Sequence, residues 1–380
     1  MEVAYRLVSR MESVPKITDT GCRSFQKLAG NQPQGRPFSD VLRLFLSLGL
    51  LLAVAGAAHA HSPLFPQNNH AAASAFFIPD AAKSWVAYSE ILNSGQKDFY
   101  RFRVSAGDPI RIKLLTSGDP GTTDFLPSLA LLVPGLKQQD AIPLSMEIPS
   151  GFGAVFVRGI RPPSATYEPF AQGWFYDLAD LDMRAPAEGT YYLVVFDPKG
   201  ATGRYAVTLG YLERWAPLEL AALPWNIRRI QIWEGQNVFA ALLPFFAVFA
   251  LGLIWFFLRS RSGKTPHTLA QWFAAGSFLA FLGSAAISLQ QMHLASRIAP
   301  VHRFDLIVTL IAASVPVILG LVALRYALRS RSGHMVAWRI GLITIAAAGL
   351  LLYTGLYLGP GLSLLAAVTK PGSKIGIRPL

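Results

Sequence analysis

The chain changes its hydrophobic rhythm twice. Between residues 75 and 213, apolar and polar positions alternate with a period of two. The stretch 109–116, PIRIKLLT, sets Ile110, Ile112 and Leu114 against Arg111 and Lys113. The stretch 96–105 places Phe99, Phe102 and Val104 among polar residues. Such alternation describes strands with one wet and one buried face. Ser105-Ala106-Gly107-Asp108 between the two stretches reads as a hairpin turn. Further strands are expected at 85–92, 128–133, 154–157, 174–181, 191–196 and 205–211. About eight short strands punctuated by Gly and Pro predict an all-β sandwich of jelly-roll type.

From residue 238 the apolar positions run on without alternation. Residues 238–258 contain no charge, and 268–291, 306–324 and 340–358 follow in the same style. Each is long enough to cross a bilayer, so the pattern predicts a four-span helical bundle over 238–368. After Gly359-Pro360-Gly361 only a short apolar run remains, too short for a fifth crossing. The segment 214–237 reads as an interfacial linker, with Trp215, Trp225 and Trp233 suited to the headgroup layer. Within it 226–233, NIRRIQIW, is expected to lie flat on the membrane as an amphipathic segment.

A third pattern precedes both. Residues 44–57 are an apolar run preceded by Arg36 and Arg43 and followed by Ala58-His59-Ala60. A basic flank, a run too short for a span and a small-residue exit describe a secretory leader over 1–60. Cleavage there exposes His61, and 61–74 is then a tail before the sandwich at 75–213. The only cysteine, Cys22, lies in the leader. Disulfide and thiolate chemistry therefore drop out of the exported part.

Charge sharpens the topology. The 380 residues carry a formal +12, yet residues 61–213 hold 12 Lys+Arg against 15 Asp+Glu. Residues 214–380 hold 15 against 3, in the most apolar third of the chain. With an acidic exported domain, nucleic-acid binding is excluded as the meaning of the charge. Arg259, Arg261 and Lys264 fall in one loop of the bundle, and Arg325, Arg329, Arg331 and Arg339 in or beside the other on that side. The opposite loop holds only Arg297 and Arg303, which predicts a bacterial inner-membrane protein with a periplasmic sandwich. Four crossings place the tail 369–380, with Lys370, Lys374 and Arg378, on the side this rule disfavours. The string Leu258-Arg-Ser-Arg-Ser-Gly263 recurs as Leu328-Arg-Ser-Arg-Ser-Gly333, which reads either as a duplicated helical hairpin or as convergence of short basic loops.

Residues of the exported domain resemble a known family. Gly95, Asp98, Tyr100, Phe102, Val104 and Gly107, then Leu129-Ala130-Leu131, Gly189-Thr190-Tyr191-Tyr192 and Gly203-Arg204-Tyr205-Ala206-Val207 are similar to the bacterial pre-peptidase C-terminal β-sandwich. The similarity covers about a third of the chain and departs from the family by a long insert between Gly135 and Ala185. It implies a sandwich, of a kind usually serving as a non-catalytic binding or stabilising appendage.

Candidate chemistry is sparse. His61, His70, His293 and His302 fall on one side of the predicted membrane, and imidazole suits copper or zinc. Asp177, Asp180 and Asp182 are a weaker candidate for calcium, because strand alternation does not aim all three at one point. Tyr167, Phe170, Trp174 and Tyr176 are expected either in the core or lining a groove for a ligand or partner. Gly276, Ala280, Ser284 and Ser288 recur every fourth residue and form a small-residue helix face for close packing. No G-x-S-x-G, H-E-x-x-H or P-loop string occurs. The expected function is a non-enzymatic, membrane-anchored binding or docking protein, a subunit or accessory of a larger complex. The rival expectations are periplasmic copper or zinc handling and a small transporter made of duplicated hairpins.

Overall fold

A computed structural model describes residues 61–117, 124–137, 148–168, 173–328 and 335–369. The leader, Phe170 and the second copy of the Arg-Ser repeat lie outside these residues.

Eleven strands form two sheets among the described residues. They are β1 (Ser62–Leu64), β2 (Phe76–Phe77), β3 (Trp85–Ile91), β4 (Lys97–Val104), β5 (Pro109–Ser117) and β6 (Ser128–Pro134), followed by β7 (Phe152–Val157), β8 (Thr166–Glu168), β9 (Gly173–Arg184), β10 (Gly189–Phe196) and β11 (Gly203–Leu209). One sheet runs β1-β3-β11-β5-β9-β8 and the other β2-β4-β10-β6-β7. All strand pairs are antiparallel except β1 with β3 and β2 with β4. The segment expected to be a tail thus adds β1 to the edge of one sheet, and the residues just after it add β2 to the other. Covering an edge in this way removes unpaired backbone groups that would otherwise recruit other chains.

The alternation of β5 is realised as read. Ile110, Ile112 and Leu114 are buried, while Arg111 and Lys113 are exposed. They meet Tyr100 and Phe102 of β4, Leu129 and Leu131 of β6, Tyr191 and Leu193 of β10 and Tyr205 and Val207 of β11 in one core between the sheets. Tyr100 and Tyr205 share a hydrogen bond of 2.7 Å across that core, and the Tyr205 hydroxyl donates to Asp98 at 2.6 Å. Burial holds both phenols above their ordinary range, so they remain hydroxyl donors.

Six α-helices follow among the described residues: α1 (Pro217–Trp233), α2 (Val238–Arg261), α3 (Leu269–Ser296), α4 (Arg303–Leu328), α5 (Met335–Leu351) and α6 (Leu358–Val368). Their starts follow capping chemistry. Glu219 reaches back to the Ala216 amide, and Asn237 Oδ1 accepts from the Phe239 and Ala240 amides. Thr268 and Gln271 form a capping box at α3. Helix α3 is the hub, packed on α2, α4 and α6.

Among the described residues three helices, α2, α3 and α4, are long and apolar enough to cross a membrane, and the fourth expected span is not one of them. The fourth expected span, 340–358, is broken. Helix α5 stops at Leu351, and Tyr353, Gly355, Leu356 and Tyr357 adopt left-handed backbone before α6 begins. Pro360 sits in the first turn of α6, where a missing N–H costs nothing. The direction of α6 can be read from its neighbours on α3. A Cβ on Gly355 or Gly359 would meet Phe281, whereas one on Gly276 would meet Leu362. Ser277 donates to the Gly359 carbonyl at 2.8 Å and shares a 2.6 Å hydrogen bond with Ser363. So α6 runs antiparallel to α3, starting near the α3 midpoint and ending near its beginning. At the other end of the pair, Gly341 of α5 lies against Tyr326 in the last turn of α4. Helices α5 and α6 therefore form a hairpin that reaches only half-way along the bundle.

Candidate functional site

The residues expected to line a groove build the junction between sandwich and helices. β8 and β9 pair at that edge of the sheet, with Tyr167 opposite Trp174. Tyr167 and Trp174 are buried with Ala165 against Ala295 in the last turn of α3 and Ala299 just beyond it. The Tyr167 hydroxyl shares a 2.8 Å hydrogen bond with Thr309 Oγ1, a fully buried group on α4. Desolvation raises the Tyr167 phenol above its ordinary range, with the Thr309 hydrogen bond opposing it. Tyr176 is half-buried at the rim, beneath the Arg161 guanidinium. These aromatics are thus covered by the chain's own helices.

A second contact lies where α1 turns into α2. Glu234 is buried, and a Cβ on Gly173 would sit 2.1 Å from its Oε1, so a side chain there would displace the carboxyl. Its carboxyl accepts from the Trp174 backbone amide and from Gln236 Nε2 at 3.0 Å. Burial pushes its pKa up to about 8 against these hydrogen bonds, and the nearby Glu168 adds to the rise. Glu234 is therefore protonated at neutral pH. The sequence reading missed it because a lone Glu beside a linker carries no periodic signal.

Helix α1 is the third contact. Trp233 donates to the Ser89 carbonyl at 2.9 Å and stands edge-on to Tyr88. Around it, Val86, Leu115 and Ala206 form an apolar patch on the outer face of the sheet. At the other end, Lys83 and Glu219 pair at 2.5 Å, and Ser62 donates to Glu219. Burial alone would raise the Glu219 pKa, but the Lys83 hydrogen bonds and charge overturn this and hold it below its ordinary value. The junction also keeps unused polar capacity. The side chains of Gln291, fully buried on α3, and the Trp174 indole N–H find no partner among the described residues.

Each of the four histidines expected to bind metal has its own place in the fold. His61 is hydrogen-bonded to Ser84, and His70 Nδ1 donates to Asp98 Oδ1 at 2.7 Å. His293 is exposed on the last turn of α3, and His302 is exposed just before α4. Among the described residues no three His, Cys, Asp or Glu side chains gather to hold a metal ion. The three aspartates are each engaged separately. Asp180 faces Lys113 and Asp182 faces Arg111 across the β5–β9 ladder, while Asp177 accepts from Thr166. The bulge opposite Leu114/Leu115 leaves all three on one exposed face, opposite Leu115, Lys113 and Arg111, but strung along the strand with a separate partner each. The small residues of α3 meet neighbouring helices. Gly276 meets Leu362, and Ala280 is buried among Phe245, Ile287, Leu242, Phe249 and Leu356. Ser284 and Ser288 are half-buried on the same helix. Gly283, absent from that expectation, also lets α2 come close, since a Cβ there would lie 2.7 Å from the Phe245 ring.

No protein-family model and no curated protein matches the chain. Among solved structures it is similar to the pre-peptidase C-terminal domain of a collagenase from Bacillus anthracis. That match has 16% identity and a TM-score of 0.22, and covers 35% of this chain and 91% of that one. It is also similar to CorA, described as a surface-associated copper-binding protein important in Methylomicrobium album BG8 copper acquisition. There the identity is 11% and the TM-score 0.20, covering 40% of this chain and 99% of that one.

Proposed function

We propose that this is a membrane-anchored, non-enzymatic docking protein whose helices hold the sandwich at a set height and orientation outside the bilayer. The observation behind this reading is the junction itself. Tyr167 reaches into the helices to Thr309, Glu234 is locked under Trp174, and α1 is clamped to β3 at both ends. A tether serving only for attachment needs none of these buried contacts. A platform that presents a sandwich to a partner complex requires them.

The topology of the proposal differs from four crossings. Helices α2 to α4 cross, and the α5–α6 hairpin enters from the side of the Arg259–Lys264 loop and returns to it. Lys370, Lys374 and Arg378 then leave from the basic side, which removes their conflict with the positive-inside rule. The sandwich is assigned to the periplasm and the bundle to a bacterial inner membrane. Extraction of the full chain in mild detergent tests the docking role. A second polypeptide in fixed stoichiometry is the expected result, and a strictly monomeric chain sinks the reading.

A second reading, copper or zinc handling, has one observation in its favour. Asp98 is fully buried and takes hydrogen bonds from Tyr205, Gln96 and Ser89 as well as from His70 Nδ1. A carboxylate on one imidazole nitrogen orients the ring and leaves the other nitrogen for a ligand role, the arrangement common behind metal-binding histidines. Metal analysis of the processed protein decides it: content unchanged in His61→Ala and His70→Ala removes this reading.

A further inference from the structure

Helix α1 presents two apolar faces, and only one of them is covered. Leu223 and Ile230 are buried on the side where Glu219 meets Lys83 of the sandwich. Leu218, Trp225 and Ile232 recur every seven residues and form one stripe along the helix. Trp225 and Ile232 each lie two residues beyond a buried partner, Leu223 and Ile230, which is about 200° of turn. The stripe is therefore opposite the sandwich. It is bare, with Leu218 84%, Trp225 70% and Ile232 50% exposed. Water is a poor solvent for such a row, and a stripe of this kind on a monomer marks a surface that something apolar covers.

The surroundings identify the cover. Ala221, one turn before Trp225 on the same side, accepts a 2.7 Å hydrogen bond on its carbonyl from Tyr357, at the start of α6. The helical bundle thus lies on the side of the stripe, away from the sandwich. At its other end α1 turns through Glu234–Asn237 directly into α2, the first candidate span. Two arginines flank the stripe and both are engaged: the Arg229 guanidinium is drawn back over Phe65, 3.6 Å from the ring centroid, and Arg228 donates to Gln231 Oε1.

We infer that α1 lies in the plane of the bilayer surface beneath the sandwich, with Leu218, Trp225 and Ile232 sunk at the boundary of headgroups and acyl chains. Its partner is lipid. A helix with one apolar side at that depth, Trp among its anchors, fits interfacial binding. The inference rests on the reading that α2 to α4 cross a bilayer.

Spin labels on single cysteines test it in the full chain, with Cys22→Ser as background, reconstituted in phospholipid nanodiscs. Labels are placed by Leu218→Cys, Trp225→Cys and Ile232→Cys. Glu188→Cys, exposed on the sandwich, and Phe246→Cys, exposed on α2, serve as water and lipid references. The three stripe labels are expected to be several-fold less accessible to a water-soluble nickel chelate than the Glu188 label, and readily reached by oxygen. Nickel access equal to that at Glu188 overturns the inference, because the stripe is then in water. Shielding from both reagents also overturns it, because protein is then the cover. A Phe246 label in water instead defeats the membrane reading, and the inference with it.

Discussion

The two halves of the chain bury opposite things. In the sandwich, large apolar side chains close inward, and only Phe77, Leu92, Ile160 and Tyr211 stand exposed among the described residues. From Leu218 onward exposed apolar side chains are frequent, and α2 alone shows Phe239, Leu243, Phe246, Leu251 and Ile254. The same chemistry is hidden in one region and displayed in the other. On the proposed reading each region is thus matched to its own solvent, water for the sandwich and lipid for the helices. The junction is where the two conventions meet. There the chain uses hydrogen-bonded aromatics, a protonated carboxyl and a two-faced helix.

Paired truncations break the comparison if it is wrong. Phe102→Ala is expected to cost about 3–5 kcal/mol, since Phe102 is fully buried between the sheets. Phe246→Ala, the same deletion on the exposed side of α2, is expected to cost less than about 1 kcal/mol. Thermal unfolding in detergent measures both, and equal losses contradict the two-solvent account.

The junction carries the next effect. Glu234 has a raised pKa, so the neutral form favours the folded state. Its contribution is present in full below the ordinary value of 4.5 and is lost as pH rises through about 8. Wild-type stability should therefore fall across that window, by something on the order of 3 kcal/mol. Glu234→Gln keeps the hydrogen-bonding shape without the titration, and a stability curve between pH 4 and 9 should lose that slope. An unchanged slope places the titrating group elsewhere.

Within the bundle, Gly283→Leu should cost about 1–3 kcal/mol by forcing α2 away from α3. Detergent melting curves report it, and no shift would show that α2 is not packed there. The smallest effect belongs to the surface ladder. Asp180→Asn should change stability by less than about 0.5 kcal/mol, because its pair with Lys113 is exposed and 3.8 Å long.

Much of this was legible in residues, and the failures have physical causes. β5 was legible because Ile110, Ile112 and Leu114 face a core while Arg111 and Lys113 face water. β1, β2 and β8 were not, because two- or three-residue strands are too short to show a period. Tyr167 and Trp174 were recognisable as an aromatic cluster, but composition does not say which surface covers a ring. The broken fourth span was hidden for another reason. Tyr353, Leu356 and Tyr357 hold left-handed backbone that their side chains disfavour, and only tertiary contacts impose it. The four histidines are all exposed, and exposure of a lone imidazole does not tell a ligand from a solvated side chain.

One measurement reaches the claim that the sandwich and the chain's end face opposite sides of a membrane. Glu188→Cys and Lys374→Cys, each in the Cys22→Ser background, are treated in intact spheroplasts with a membrane-impermeant maleimide. Three crossings and a returning hairpin predict that Glu188→Cys is labelled at once and Lys374→Cys only after lysis. Labelling of both before lysis would restore four crossings and contradict the account.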